Sequence, residues 1–434
     1  MKFWGVTGTN GKTTTTWIFA EFVNAMAGRK CGSVTTVEVN TGSRRFSTGY
    51  TTPPLKQLKE IFAEMEANGC TDCVMEVSSH AIHQHRTGDT VFSGGIFTNL
   101  SEDHLDYHKT MEAYFDVKLD FARQIAAAHP TTPDMGRRDL PPYVVCLDGG
   151  YGKEMFNAVG NLAVNVIPVS SRSREPKSNS GMLVSFCKPK AKDGKYHCST
   201  STPDFDLSGL QLIGDYNKSN VLCAAALAEA AGVSHDVIQA VIPTLKPRWG
   251  RLEEISRDQG SGIGGQGGWK ARVFVDFAHT PDGLEKVLTA VRGEMLNSQT
   301  LKLSNSQTLK PSLWVVFGAG GDRDPMKRPL MGEACAKLAD KLVVTSDNPR
   351  SEDPLKIIDA ICRGIESVDR STFGLQSSDF LFVEPDRKKA IEYALTNAAE
   401  GDVVVIAGKG HETTQEVKGV KHPFDDREIV RNFK

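Results

Sequence analysis

No apolar run in the 434-residue sequence approaches the ~18 residues needed to cross a bilayer. Neither charge is in excess. The 51 Lys+Arg and 53 Asp+Glu leave a formal net charge of -2, which gives no general attraction to nucleic acid or to an anionic membrane. Cysteine is sparse: nine residues, an odd number, spread along a long chain. A disulfide framework is therefore not expected, and a reducing compartment is favoured. The opening run Met1-Lys2-Phe3-Trp4-Gly5 has neither a signal-like apolar core nor an Arg-rich transit pattern. These absences exclude a membrane protein, a secreted miniprotein, a fibrous protein and a basic DNA-binder. They lead to the expectation of a cytoplasmic protein whose partners are small molecules, with no nucleic acid and no membrane.

What is present is ordinary globular composition, 39% hydrophobic and 24% charged, in a chain long enough for about two or three domains. Short apolar runs alternate with helical stretches. Strands are expected at Phe3–Val6, Cys73–Val77, Val91–Thr98, Val144–Leu147, Val273–Phe277, Leu313–Phe317, Leu342–Thr345 and Val403–Ala407. Leu55, Leu58, Ile61, Phe62 and Met65 recur at three- and four-residue steps and form one helix face. Alternation of continuous apolar strands with helices implies an α/β fold with mainly parallel sheets. The segment Lys246–Glu253 reads as a junction, dividing the chain into 1–246 and 247–434. Arg257–Lys270 is glycine-rich and Asn297–Lys310 contains NSQTLK twice; both read as surface loops.

The run Gly8-Thr9-Asn10-Gly11-Lys12-Thr13-Thr14 follows a strand and opens a helix. Glycines let backbone N–H groups close around phosphate oxygens, and the helix N-terminus adds a favourable field. In that pattern Lys12 reaches the β- and γ-phosphates and the Thr13 hydroxyl meets Mg²⁺. A glycine turn before a helix can also be purely structural, and the strict phosphate-loop spacing fails because position 6 is Val. Glu76 ends the next interior strand, where a carboxylate is placed either for Mg²⁺ or for solvent. Cys70 and Cys73 form a C-x-x-C with no second pair to complete a zinc site, so they read as packing residues.

The stretch from Phe97 to Lys118 (FTNLSEDHLDYHKTMEAYFDVK) makes the chain resemble a known family. With G-T-N-G-K-T-T, M-E-V-S-S-H-A-I-H-Q-H-R, D-F-A-H-T-P-D and D-N-P-R it is similar to the Mur ligases, the MurE type in particular. These are ATP-dependent enzymes that build the peptide of bacterial cell-wall precursors. The resemblance implies a P-loop ATP-binding domain at 1–246 and a Rossmann-like amino-acid-binding domain at 247–434. It implies ATP as cofactor and two Mg²⁺ sites around Thr13, Glu76, His104 and a carbamylated Lys118. The chemistry is consistent, because a lysine beside two cations repels them whereas its carbamate is an anionic ligand. Gly8, Thr9, Asn10, Gly11, Lys12, Thr13, Thr14, Asn217, Asn220, Arg251, Asp276 and His279 match nucleotide-contacting positions. Asn217 and Asn220 also read as a helix start with an N-cap. Lys12, Lys118, His104 and Arg251 match the catalytic set.

The resemblance also implies a substrate pocket. Asp347, Asn348 and Arg350 lie in the form of D-N-P-R that selects meso-diaminopimelate, and Arg323, Gly408 and Glu412 match further contacts to it. An arginine fork suits the distal carboxylate of that amino acid, and Glu412 suits an ammonium. Thr51, Thr52, Ser78, Gln84 and Arg86 match positions that hold the muramoyl-peptide end. Two features depart from the family pattern. Phe277 replaces the usual Tyr, and the chain begins at the phosphate-loop strand, where MurE ligases carry an earlier domain for the UDP group. The expectation is a monomeric ligase that adds meso-diaminopimelate to UDP-N-acetylmuramoyl-L-alanyl-D-glutamate, with acceptor affinity below that of a three-domain enzyme. A Mur-like ligase with a non-UDP acceptor and a non-catalytic Mur-like binding protein stand as the alternatives.

Overall fold

The computed structural model describes residues 1–132, 134–171, 187–189, 196–198, 205–256, 269–300, 311–369 and 380–433. The expected glycine-rich loop at 257–270 lies outside the described residues up to 268, and the repeat-bearing stretch lies outside them from 301 to 310. The chain forms two compact units, Met1–Lys246 and Pro247–Lys434.

The first unit is built on eight strands: β1 Lys2–Thr7, β2 Cys31–Val34, β3 Val39–Asn40, β4 Arg45–Phe46, β5 Asp72–Glu76, β6 Phe92–Phe97, β7 Pro142–Cys146 and β8 Asn165–Val169. Their order is β4-β3-β2-β5-β1-β6-β7-β8. Pairing is parallel from β2 to β8, and only the β2–β3 and β3–β4 pairings are antiparallel. Parallel strands covered on both faces need apolar side chains on both, and all five residues of β5 are buried. One face carries the helix Lys12–Asn24, with Trp17, Ile18, Phe19 and Phe22 buried. Against it packs the helix Asp215–Ala230, whose run of buried alanines permits close approach. The chain leaves β1 toward β2 and β5 on one side, then crosses to β6 on the other. That reversal sets the loops after β1 and β6 side by side, the usual place for a ligand crevice. At the opposite end of the sheet the Trp4 indole donates to the buried Asp72 carboxylate at 2.9 Å, and Arg29 closes on the same group.

A short antiparallel pair, β9 Cys187–Pro189 and β10 Tyr196–Cys198, also belongs to the first unit. The second unit has β11 Glu253–Glu254, β12 Arg272–Asp276, β13 Leu313–Phe317, β14 Lys341–Val344, β15 Leu381–Val383 and β16 Val403–Ala407. Their order is β11-β12-β16-β13-β14-β15, parallel except for β11. A hairpin, β17 Thr414–Val417 and β18 Val420–Pro423, follows. Trp314 repeats the arrangement of Trp4: its indole donates to the buried Asp402 carboxylate at 3.0 Å. Of the four central strands, β12 ends in Asp276 and the other three lead into loops that carry Arg323, Asp347–Arg350 and Gly408–Glu412.

Every strand expected from an apolar run is present, with ends shifted by a residue or two. The helix read from Leu55 to Met65 spans Leu55–Ala67. Cys31, Cys70, Cys73, Cys146, Cys223, Cys335 and Cys362 are free thiols. Among the described residues no helix is long and apolar enough to cross a membrane.

Candidate active site

In the first unit the loop after β1 is held from the protein side. Gly8 and Gly11 take φ of +148° and +85°. A Cβ at Gly8 would collide with the Thr98 hydroxyl, and one at Gly11 with the Asn220 side-chain oxygen. Only glycine fits such contacts at left-handed backbone. Residues after β6 brace the loop. Asn99 accepts from Thr9 N through its carbonyl and from Asn10 N through Oδ1, both at 2.9 Å. The Thr98 hydroxyl and Asn99 Nδ2 donate to the Asn10 carbonyl at 2.7 and 3.0 Å. Lys12 Nζ curls back to the Gly8 and Thr9 carbonyls at 2.9 and 2.8 Å. Thr13 is buried in the first turn of the helix, with Thr14 half-buried after it.

Lys118 arrives from the helix Met111–Ala127. It is 1% exposed, donates to the Gly8 carbonyl at 2.9 Å and lies 4.7 Å from the centre of the Tyr114 ring. Burial, reinforced by Lys12, holds its ammonium well below the ordinary lysine range, against the opposing pull of Asp103. Tyr114 in turn shares a hydrogen bond of 3.2 Å with the Thr9 hydroxyl. His104 sits at φ +55°, its ring edge-on to His80 at 4.9 Å. Burial depresses its pKa to about 4, so the neutral imidazole, the metal-ligating form, prevails at pH 7.

Glu76 is buried at the end of β5, accepting from Thr36 N at 2.8 Å and from the Thr36 hydroxyl at 3.1 Å. A carboxylate offers about four lone-pair sites, so acceptor capacity remains for a cation. Around it the structure gathers the residues expected to hold the muramoyl-peptide end. The Thr36 hydroxyl shares a hydrogen bond with that of Thr51, and the Thr52 hydroxyl donates to the Glu76 carbonyl and accepts from Ser78 N. Arg86 donates to the Thr52 carbonyl at 3.1 Å and to Gln84 at 2.8 Å.

Asn217 and Asn220 do not cap a helix. The cap of Asp215–Ala230 is Gly214, at φ +96°, because the turn needs a left-handed residue. Asn217 lies inside the first turn and donates to the Ile213 carbonyl at 2.8 Å. Asn220 donates to Asn217 at 3.2 Å and accepts from Thr15 at 3.3 Å. Ser219, between them, donates to Asp148 after β7 at 2.9 Å.

In the second unit Asp276 ends β12, buried, accepting from Leu252 N at 2.6 Å and Ala278 N at 2.7 Å. Burial raises its pKa, and Arg251 works against that rise. The Arg251 guanidinium lies 4.6 Å from the centre of the Phe277 ring, so the residue in place of the family's Tyr serves as a cation–π platform. His279 Nδ1 shares a hydrogen bond of 2.8 Å with the Phe277 carbonyl.

Arg350 has φ +51°, costly for a residue with a Cβ, and the hairpin holds it there. Its N–H donates to the Glu416 carbonyl at 3.0 Å, and its carbonyl accepts from Lys418 N at 2.6 Å. Its guanidinium donates to the Gly321 carbonyl at 2.6 Å and lies 3.7 Å from the Glu416 carboxylate. Arg323 is exposed and donates to the Asp322 carbonyl at 3.0 Å. Asn348 donates to Glu412 at 2.8 Å, while the Asp347 carbonyl accepts from Gln415 at 2.7 Å. Gly408 packs against the Asp347 carboxylate.

Residues that sequence reasoning passed over complete these arrangements: Thr36 on Glu76, Asn99 on the phosphate loop, Lys409 on Glu412 and Arg387 behind β14 and β16. A lysine between two glycines reads as a solvated loop residue, so Lys409 carried no signal. Among the described residues no three His, Cys, Asp or Glu side chains gather as a metal-holding group. Mg²⁺ is ordinarily bound by one or two carboxylates, waters and phosphates, and Glu76 beside a phosphate loop fits that habit.

Residues 6–228 match the Mur ligase middle domain, and residues 250–410 match the Mur ligase, glutamate ligase domain. A UDP-N-acetylmuramoyl-L-alanyl-D-glutamate--2,6-diaminopimelate ligase of Aquifex aeolicus is 36% identical, over 99% of this chain and 76% of its own. A solved structure of a ligase of that name superposes with a TM-score of 0.56 at 29% identity, covering 99% of this chain and 77% of its own. A folylpolyglutamate synthase of Mycobacterium tuberculosis complexed with ADP shares the fold at a TM-score of 0.57 and 17% identity, over 94% and 87% of the two chains.

Proposed function

The chain belongs to the Mur ligase family, and from that premise we propose that it joins meso-diaminopimelate to UDP-N-acetylmuramoyl-L-alanyl-D-glutamate, with ATP split to ADP and phosphate. The observation that carries the reading is 36% identity to a ligase of that name along 99% of the chain. The braced phosphate loop supports it. The first unit binds ATP, and the second binds the amino acid.

The acceptor carboxylate attacks the γ-phosphate and ADP leaves, giving an acyl phosphate. The amine of diaminopimelate then attacks the acyl carbon, phosphate departs and an amide forms. Lys12 stabilises charge on the transferring phosphoryl group. Loop N–H groups at the start of the helix Lys12–Asn24 cradle the phosphates. Thr13, Glu76, His104 and carbamylated Lys118 would hold Mg²⁺, which supplies charge neutralisation at the phosphates. Thr51, Thr52, Ser78, Gln84 and Arg86 orient the muramoyl-peptide end. The setting is the cytoplasm, and the working form is a monomer.

Arg350 reads the distal carboxylate of diaminopimelate, with Arg323 beside it. L-Lysine lacks that carboxylate and leaves the guanidinium short of an acceptor, a loss on the order of 2–5 kcal/mol, or more than about thirtyfold in selectivity. ADP release with diaminopimelate and with L-lysine, each with the UDP-linked dipeptide, tests this. Diaminopimelate should be used and L-lysine largely refused, and Arg350→Ala should lose most diaminopimelate turnover with ATP binding intact. Equal turnover of L-lysine by the wild type would defeat the assignment of Arg350.

A further inference from the structure

Lys409 has no part in the reading above, yet its side chain is 0% exposed, and a lysine is buried so deeply only when its ammonium is partnered. Its Nζ donates to Glu412 Oε2 at 2.8 Å and to Asn348 Oδ1 at 3.1 Å. Asn348 Nδ2 donates to the same Glu412 oxygen at 2.8 Å. Asn348 Oδ1 also accepts from Glu416 N at 2.9 Å. Three side chains from the loops after β14 and β16 therefore close a triangle whose amide orientation is fixed at both ends. The turn is tight as well, with Glu412 N donating to the Lys409 carbonyl at 2.9 Å.

The consequence falls on Glu412. Its Oε2 takes two donors, while its Oε1 accepts no hydrogen bond from the described residues. The carboxylate is 33% exposed, so it has one dry, saturated oxygen and one with room for a ligand. Lys409 also balances its charge.

We propose that Lys409 is a positioning residue for the amino-acid substrate: it locks Glu412 so that the free oxygen receives the substrate ammonium. The proposal rests on the reading of the second unit as the amino-acid-binding half.

Steady-state assays of the full chain with ATP, the UDP-linked dipeptide and diaminopimelate test it. Lys409→Met should raise KM for diaminopimelate by about ten- to a hundredfold, as for loss of a charge-assisted anchor, with little change in kcat or in KM for ATP. Combined with Glu412→Gln, the double variant should be no worse than the poorer single one, because the lysine acts through the carboxylate. A residue that only supports the fold would give additive losses and would move KM for ATP as well. If Lys409→Met does not fold, Lys409→Gln carries the same comparison: its smaller KM shift should vanish in the Glu412→Gln background. An unchanged KM for diaminopimelate, or additive effects, overturns the proposal while the functional reading stands. A wild type that releases no ADP with these substrates overturns the functional reading and the proposal together.

Discussion

Lys118 sits against the Gly8 carbonyl with almost no contact with solvent. An ammonium there lacks hydration and faces the repulsion of Lys12, so its pKa is held well below the ordinary lysine range and the neutral amine is more accessible than on a surface lysine. A neutral amine is the form that adds carbon dioxide, and the carbamate reverses the sign of the charge beside the phosphate loop. Lys118→Ala should therefore be almost inactive in ADP release, with partial recovery on adding short carboxylates. Full activity in that variant would remove Lys118 from the mechanism. Roles of this kind are hard to read in a sequence alone. Lys118 lies on a helix whose pattern would equally suit a surface lysine, and only the F-T-N-L-S-E-D-H context singles it out. Lys409 shows the reverse: its burial is set by folding of the loops after β14 and β16, which no local spacing records.

Strands were legible where both faces are covered, because each such strand is a continuous apolar run: Asp72–Glu76, Leu313–Phe317 and Val403–Ala407. Edges were not. Val39–Asn40, Arg45–Phe46 and the hairpin Thr414–Pro423 are short and polar, and their pairing comes from the turns that join them. The hairpin matters most, since it sets the backbone of Arg350. The helix Arg387–Asn397 packs on the central strands, and its first residue is 1% exposed and paired with Asp426, itself 0% exposed. Arg387 also donates to the Ala407 carbonyl at 2.9 Å and reaches the Ser346 carbonyl, so one guanidinium ties the ends of β14 and β16 together. Removing one partner strands the other charge in the interior. Asp426→Ala should destabilise the second unit by about 3–5 kcal/mol, measurable by denaturant unfolding, and a cost below about 1 kcal/mol would show the pair to be dispensable.

At the scale of the molecule, both units keep a histidine neutral by burying it. His108, in the first, has its pKa depressed to about 4 by burial and by His80; His411, in the second, falls to about 3 through burial and the neighbouring Arg251 and Arg427. Both lie below the ordinary value of 6.5 that an unfolded chain regains, so the unfolded state takes the proton first. Stability is whole above about pH 6.5 and is lost as pH falls toward those values, and down to about pH 5 most carboxylates are still ionised. Thermal melts stepped down from neutral pH should show falling midpoints, with a shallower fall for His411→Gln in the second unit. A pH-independent midpoint above pH 5 would mean that these imidazoles reach solvent. Such melts need a signal that tells one half from the other, and the indole–carboxylate pairs of Trp4 with Asp72 and Trp314 with Asp402 supply it. Each chromophore is pinned to a fixed negative charge at the strand ends away from the phosphate and amino-acid loops. Its emission colour should respond to loss of that one half and stay indifferent to nucleotide or amino acid, so two single-tryptophan versions of the chain would be separate lamps for two separate transitions.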